Sequence, residues 1–154
     1  MDAQSQDRLA AQLQKAEDIC RQQGQRLTTL RRSILEVLLS EGQPLKAYDL
    51  IERMRERGKR LTPATIYRTL DFFQQCGLAH RISSLNAFVP CTVDHDEHGA
   101  LFIVCSRCAR AEELDDPELY AVMQNKLLQR GLSLDEKFIE IRGTCAACAG
   151  AAHV

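Results

Sequence analysis

No stretch of eighteen apolar residues occurs anywhere in the 154-residue chain, so no segment is predicted to cross a bilayer as a helix. The opening residues, MDAQSQDRLAAQ, are too polar for a secretory signal, which makes the cytoplasm the expected compartment. There, the seven cysteines are expected as thiols or metal ligands rather than disulfides. No serine, histidine and aspartate arrangement accompanies them, so neither an enzyme nor a small-molecule substrate is expected. Net charge is nearly absent too, at −1, but it is unevenly spread. Residues 1–81 hold 14 Lys and Arg against 10 Asp and Glu, whereas residues 82–154 hold 6 against 11. A basic first half joined to an acidic second half suits a nucleic-acid reader attached to a part that does not touch nucleic acid.

What the chain does have is a dense set of metal-ligand side chains. Residues 91–108, CTVDHDEHGALFIVCSRC, hold three cysteines and two histidines, and the closing Cys-x-x-Cys pair recurs as Cys145-Ala-Ala-Cys148. The four thiolates of Cys105, Cys108, Cys145 and Cys148 form the donor set of a closed, tetrahedral structural zinc site. The thirty-six residues between the hooks exceed a compact zinc ribbon and predict a site that clips a whole βαβ-sized insert. A redox Cys-x-x-Cys is the alternative.

The first half reads as helices. Leu9, Leu13, Ala16 and Cys20 recur at helical spacing over 8–23, closed by Gly24, with Cys20 in the core. A second helix, 29–40, buries Leu30, Ile34, Val37 and Leu38, with Thr28 as N-cap and Gly42 as its stop. A third, 46–57, carries Ala47, Leu50, Ile51 and Met54. Thr62 and Pro63 then mark a fourth start, since proline's missing N–H costs nothing at the first helical position. On this fourth helix Ile66, Leu70 and Phe73 share one face and leave Ala64, Tyr67, Arg68 and Asp71 on the other. An outward Tyr-Arg pair after helix, turn, helix is what reading a DNA groove requires; a plain solvated face is the alternative. Alternation around His80, a turn at 83–86 and Ala87–Pro90 complete a two-stranded wing. Beyond it come short strands at 100–104, 110–114 and 137–142, and one helix from Pro117 to about Arg130, capped by Asp115 or Asp116. The fold class is therefore α+β: a winged helix-turn-helix domain (1–84), a hinge (85–92), and an α/β dimerisation and metal-binding domain (93–154), whose strand around Phe138–Ile141 can pair with a twin.

In this order, the stretches RLTTLRRSILEVL, LTPATIYRTLDFFQQCGLAHRI, FVPC, CSRC and CAAC resemble the ferric uptake regulator (Fur) superfamily from about Gln12 to Cys148, and most of all its zinc-sensing branch. The resemblance implies a dimeric, zinc-responsive repressor of zinc-uptake genes that binds double-stranded operator DNA. It implies two zinc ions per chain: a structural one on Cys105, Cys108, Cys145 and Cys148, and a regulatory one on His80, Cys91, His98 and Glu113. His95 for His98 and Glu112 for Glu113 remain alternatives. One thiolate, two imidazoles and a carboxylate suit tetrahedral zinc, and Cys91 carries the branch assignment, because the iron sensors use nitrogen and oxygen donors. DNA contacts are implied for Tyr67, Arg68, Thr65, Ala64 and Arg31. Thr29 stands where relatives often have proline, and Lys137 where iron sensors place a histidine ligand, which puts a third metal site in doubt. The rival readings are an iron or peroxide sensor of the same family and a structural zinc module that binds a protein partner.

Overall fold

The computed structural model describes residues 3–92, 99–134 and 138–150. The chain divides into two compact units, Met1–Thr92 and Val93–Val154.

Four helices build the first unit: α1 (Ala3–Gln22), α2 (Thr29–Glu41), α3 (Ala47–Glu56) and α4 (Pro63–Gln75). The start of α1 lies five residues before the expected one, because polar helix-tolerant residues precede Leu9 with no residue to stop the helix. The marked starts fall where the caps put them. Thr28 accepts the Arg31 N–H, and Thr62 accepts the Thr65 N–H at 3.2 Å with Pro63 in the first turn. Gly42 closes α2 at φ 61°, a left-handed conformation that any side chain would strain. Cys20, Ile34, Leu38, Leu50, Met54, Ile66, Leu70 and Phe73 are fully buried in one shared core. Burial pushes the Cys20 thiol up to about 11, with the neighbouring Cys76 adding to it, so this cysteine is a core residue with little thiolate character.

Two short antiparallel strands, β1 (Ala79–Ile82) and β2 (Ala87–Pro90), form the wing, joined by a 3₁₀ turn at Ser83–Leu85 and a left-handed Asn86. Leu45 and Phe88 exchange backbone hydrogen bonds at 3.0 and 2.8 Å, which ties the wing to the segment entering α3. Residues 87–90, read from sequence as the second wing strand and also placed in the hinge 85–92, are strand in the first unit.

The second unit contains β3 (Ala100–Cys105), β4 (Ala111–Leu114), α5 (Pro117–Leu128), β5 (Phe138–Gly143) and a short α6 (Ala146–Gly150). The sheet order is β4-β3-β5, with β4 antiparallel and β5 parallel to the central strand. Asp116 caps α5 by accepting the Leu119 N–H at 2.9 Å. Helix α6 carries no apolar periodicity long enough to be read from sequence. No helix among the described residues is long and apolar enough to span a membrane.

Candidate metal centre and reading helix

Parallel pairing of β3 with β5 sets Cys105 opposite Gly143, so the two hooks leave neighbouring strands at the same end of the sheet. The Sγ atoms of Cys105, Cys108, Cys145 and Cys148 all lie within 4.8 Å of one another. Cys108 and Cys145 are 3.8 Å apart. A tetrahedron with Zn–S bonds of about 2.3 Å has edges of about 3.8 Å, so the residues present fit this ion. Backbone hydrogen bonds draw the hooks together: Cys145 N–H donates to Cys105 Sγ at 3.4 Å, and Ser106 N–H and Oγ both donate to the Gly143 carbonyl, at 2.8 and 3.1 Å. Ala109 takes a positive φ of 58° to turn the chain out of the first hook. The N–H groups of Cys145, Cys108 and Arg107 hold the Cys105 thiol down to about 6. Cys148 is pushed up to about 12 by hydrogen bonds with the thiols of Cys145 and Cys108. One sulfur of the set is therefore ready as a thiolate at neutral pH, and another keeps its proton until a cation displaces it. Ser106 and Arg107 shape this centre, though neither was singled out from sequence; their place between the paired cysteines is the signal that could have found them.

His80 and Cys91 lie in the first unit. His80 pairs with Val89 across the wing, and Cys91 N–H donates to the Leu78 carbonyl at 2.9 Å, continuing the same register. Opposed residues share a face and the period is two, so Cys91 is the diagonal neighbour of His80 on one face of the hairpin. His80 is buried rather than solvated, and Cys91 is half-buried. In the second unit Glu113 is half-buried and pairs with Phe102, whereas Glu112 is exposed opposite Ile103. His98, its alternative His95, and Lys137 lie outside the described residues.

On α4, Ala64, Tyr67, Arg68 and Asp71 are exposed. Tyr67 is 42% exposed, a large aromatic surface for a helix whose other face is buried. Several arginines of this unit are spent within it: Arg53 pairs with Glu41 at 2.8 Å, and Arg57 with Glu36 at 3.2 Å. Arg68 forms no ion pair among the described residues. Thr65 is half-buried, its hydroxyl 3.0 Å from that of the capping Thr62. Arg31 is also engaged, with its guanidinium 3.6 Å over the Phe72 ring and donating to the Arg26 carbonyl at 2.9 Å.

The sequence profile of the ferric uptake regulator family matches residues 22–142. The zinc uptake regulation protein of Escherichia coli (strain K12) is 34% identical over 137 residues, covering 88% of this chain and 80% of that protein. The zinc uptake regulation protein of Mycobacterium tuberculosis (strain H37Rv) is 30% identical over 128 residues, 81% of this chain and 95% of that protein. Among solved structures, a zinc uptake regulator complexed with zinc and DNA superposes with a TM-score of 0.82 at 31% identity, covering 99% of this chain and all of that one.

Proposed function

The chain belongs to the ferric uptake regulator family, and from that premise we propose that it is a zinc-responsive transcriptional repressor. It binds operator DNA as a homodimer when zinc-loaded and controls zinc-uptake genes from the cytoplasm. The observation that carries the zinc assignment is the shared face of His80 and Cys91 on the wing, which offers an imidazole and a sulfur donor on neighbouring positions. A sulfur donor there favours zinc, whereas the iron sensors this chain resembles use nitrogen and oxygen donors.

In this reading Cys105, Cys108, Cys145 and Cys148 hold a structural zinc, and His80, Cys91, His98 and Glu113 hold a regulatory one, giving two per chain. Zinc supplies a fixed four-coordinate junction at each place. The regulatory set takes His80 and Cys91 from the unit that carries α4 and His98 and Glu113 from the unit that carries the cage, which links occupancy to DNA reading. Tyr67 and Arg68 then contact base edges or phosphates in the major groove, with Ala64 and Thr65 near the helix entry. Arg31 acts by steadying Phe72 on α4, or through whatever part of its guanidinium the stacked ring leaves open. Two copies of α4 read half-sites about 34–36 Å apart, or a multiple of that spacing. The exposed apolar side chains of the second unit, Ile103, Leu119, Val122, Phe138 and Ile141, support a homodimer built on this unit.

The test is bound-metal analysis of purified protein alongside operator binding. About two zinc per chain are expected, one of them removed by mild chelation. Operator affinity should fall with that loss, by roughly 5–150-fold, and return with zinc but not with ferrous iron. Recovery with iron alone would move the protein to the iron-sensing branch, and no operator binding in any metal state would favour the protein-binding zinc module.

A further inference from the structure

Arg107 lies in the first hook, Cys105-Ser-Arg-Cys108, where it is exposed and is none of the four sulfur donors. Its Nη1 nevertheless donates to the carbonyl of Cys148 at 2.9 Å, forty-one residues along the chain. The other backbone bonds between the hooks gather around Gly143 and Cys145, with Ser106 on Gly143 and Cys145 N–H on Cys105 Sγ, while sulfur contacts join Cys108 to Cys145 and to Cys148. Cys148 lies half-buried on the five-residue α6, and apart from its sulfur contacts its link to the first hook is this backbone bond.

Release of an ion from a closed cage begins when one donor swings away, and a donor on the five-residue α6 has few helix hydrogen bonds to restrain it. We propose that Arg107 is a positioning residue that clasps the second hook shut by fixing the Cys148 backbone, and so slows loss of the metal from the four-cysteine site. This rests on reading those cysteines as a zinc site. Four thiolates also outweigh the charge of the ion by two, and the guanidinium next to them offsets part of that excess. The residue therefore acts by geometry first and by charge second.

The experiment uses the full chain loaded with zinc and follows release to a chromophoric chelator. Outer-shell partners typically change metal affinity about 10–100-fold, so Arg107→Ala should release the tight zinc faster by that order. Arg107→Lys keeps the charge and a donor of similar reach, and should fall nearer the parent chain. Arg110→Ala removes an exposed charge two residues beyond the hook and should release at the parent rate. Cobalt-loaded forms of all four proteins should share one tetrahedral thiolate absorption spectrum, because every sulfur donor is retained. If Arg107→Ala fails to load, Arg107→Gln takes its place with the same expected direction. Release at the parent rate from the Arg107 variants, or release from Arg110→Ala as fast as from Arg107→Ala, would overturn the clasp. A parent chain that shows no cobalt–thiolate band would instead sink the cage reading itself, and the clasp with it.

Discussion

Replacing Cys105 by serine removes the most deeply buried of the four gathered thiols, at the end of the central strand of the second unit. Among the described residues of this unit, the large buried side chains are Leu101, Phe102, Val104 and Tyr120. At about 1.5–3 kcal/mol each they contribute roughly 6–12 kcal/mol. A structural zinc contributes about 10–16 kcal/mol at neutral pH, so the ion is worth as much as those four side chains together. A serine hydroxyl is far from ionised at neutral pH and is a poor zinc donor, so Cys105→Ser should lose one zinc per chain. The loss should extend to the fold of the unit, because Cys105 pairs with Gly143 in the β3–β5 ladder and the cage closes that ladder's end. Melting followed by circular dichroism should show the second unit unfolding well below the first. Zinc content should fall by one per chain, and sedimentation should give monomers. A variant that melts with the parent, keeps its zinc and stays dimeric would refute the claim that the cage stabilises this unit.

Cys91→Ser should behave in the opposite way: a folded dimer with one tight zinc per chain and operator binding that no longer responds across a buffered zinc titration. Switching at the parent zinc concentration would place the sensing site elsewhere. Tyr67→Ala and Arg68→Ala should leave zinc content and dimerisation unchanged while weakening operator binding by about 1–3 kcal/mol for a lost base contact, or lowering the salt slope by about one for a lost phosphate contact. Parent-like affinity and salt slope in both would remove α4 from the reading role. Zinc affinity of the cage should rise with pH, because Cys148, held up at about 12, must surrender its proton on binding, whereas Cys105, held down at about 6, is already a thiolate at neutral pH. Below about pH 6 the dependence should steepen as Cys105 takes up a proton as well. Competition with a chelator at several pH values tests this, and a flat profile between about 6 and 8 would contradict it.

The parts of the fold legible from sequence are those fixed by local chemistry. Thr28 and Thr62 cap their helices, and Gly42 ends α2, because each interaction involves residues within a few positions of one another. The start of α1 was not legible, since nothing in the residues before Leu9 ends a helix. Nor was the full width of the buried faces: Leu35, Thr69 and Phe72 are buried beside the expected stripes. Helices with neighbours on two sides bury more than the single stripe that periodicity reveals. At the metal centre the four cysteines were legible from spacing. The bond from Arg107 to the Cys148 carbonyl and the stacking of Arg31 on Phe72 join residues about forty positions apart, and no local pattern encodes them.

The two zinc readings differ in where their donors come from in the chain. Strand pairing in one unit already gathers four sulfurs within 4.8 Å, with backbone N–H groups turned onto one of them. Zinc binding and folding of this unit are therefore coupled, and an all-thiolate set holds zinc tightly. The proposed regulatory set begins from less. His80 and Cys91 share a face of the wing, whereas the proposed Glu113 belongs to the other unit, so any cost of joining donors from two units would be drawn from the binding free energy. Affinity is reduced by whatever fraction of the time the competent arrangement is absent. On this proposal, such a cost would make the second site weaker than the cage and let its occupancy follow free zinc in the cell. A chain that kept only the cage would then have no second, weaker site through which to report changes in zinc.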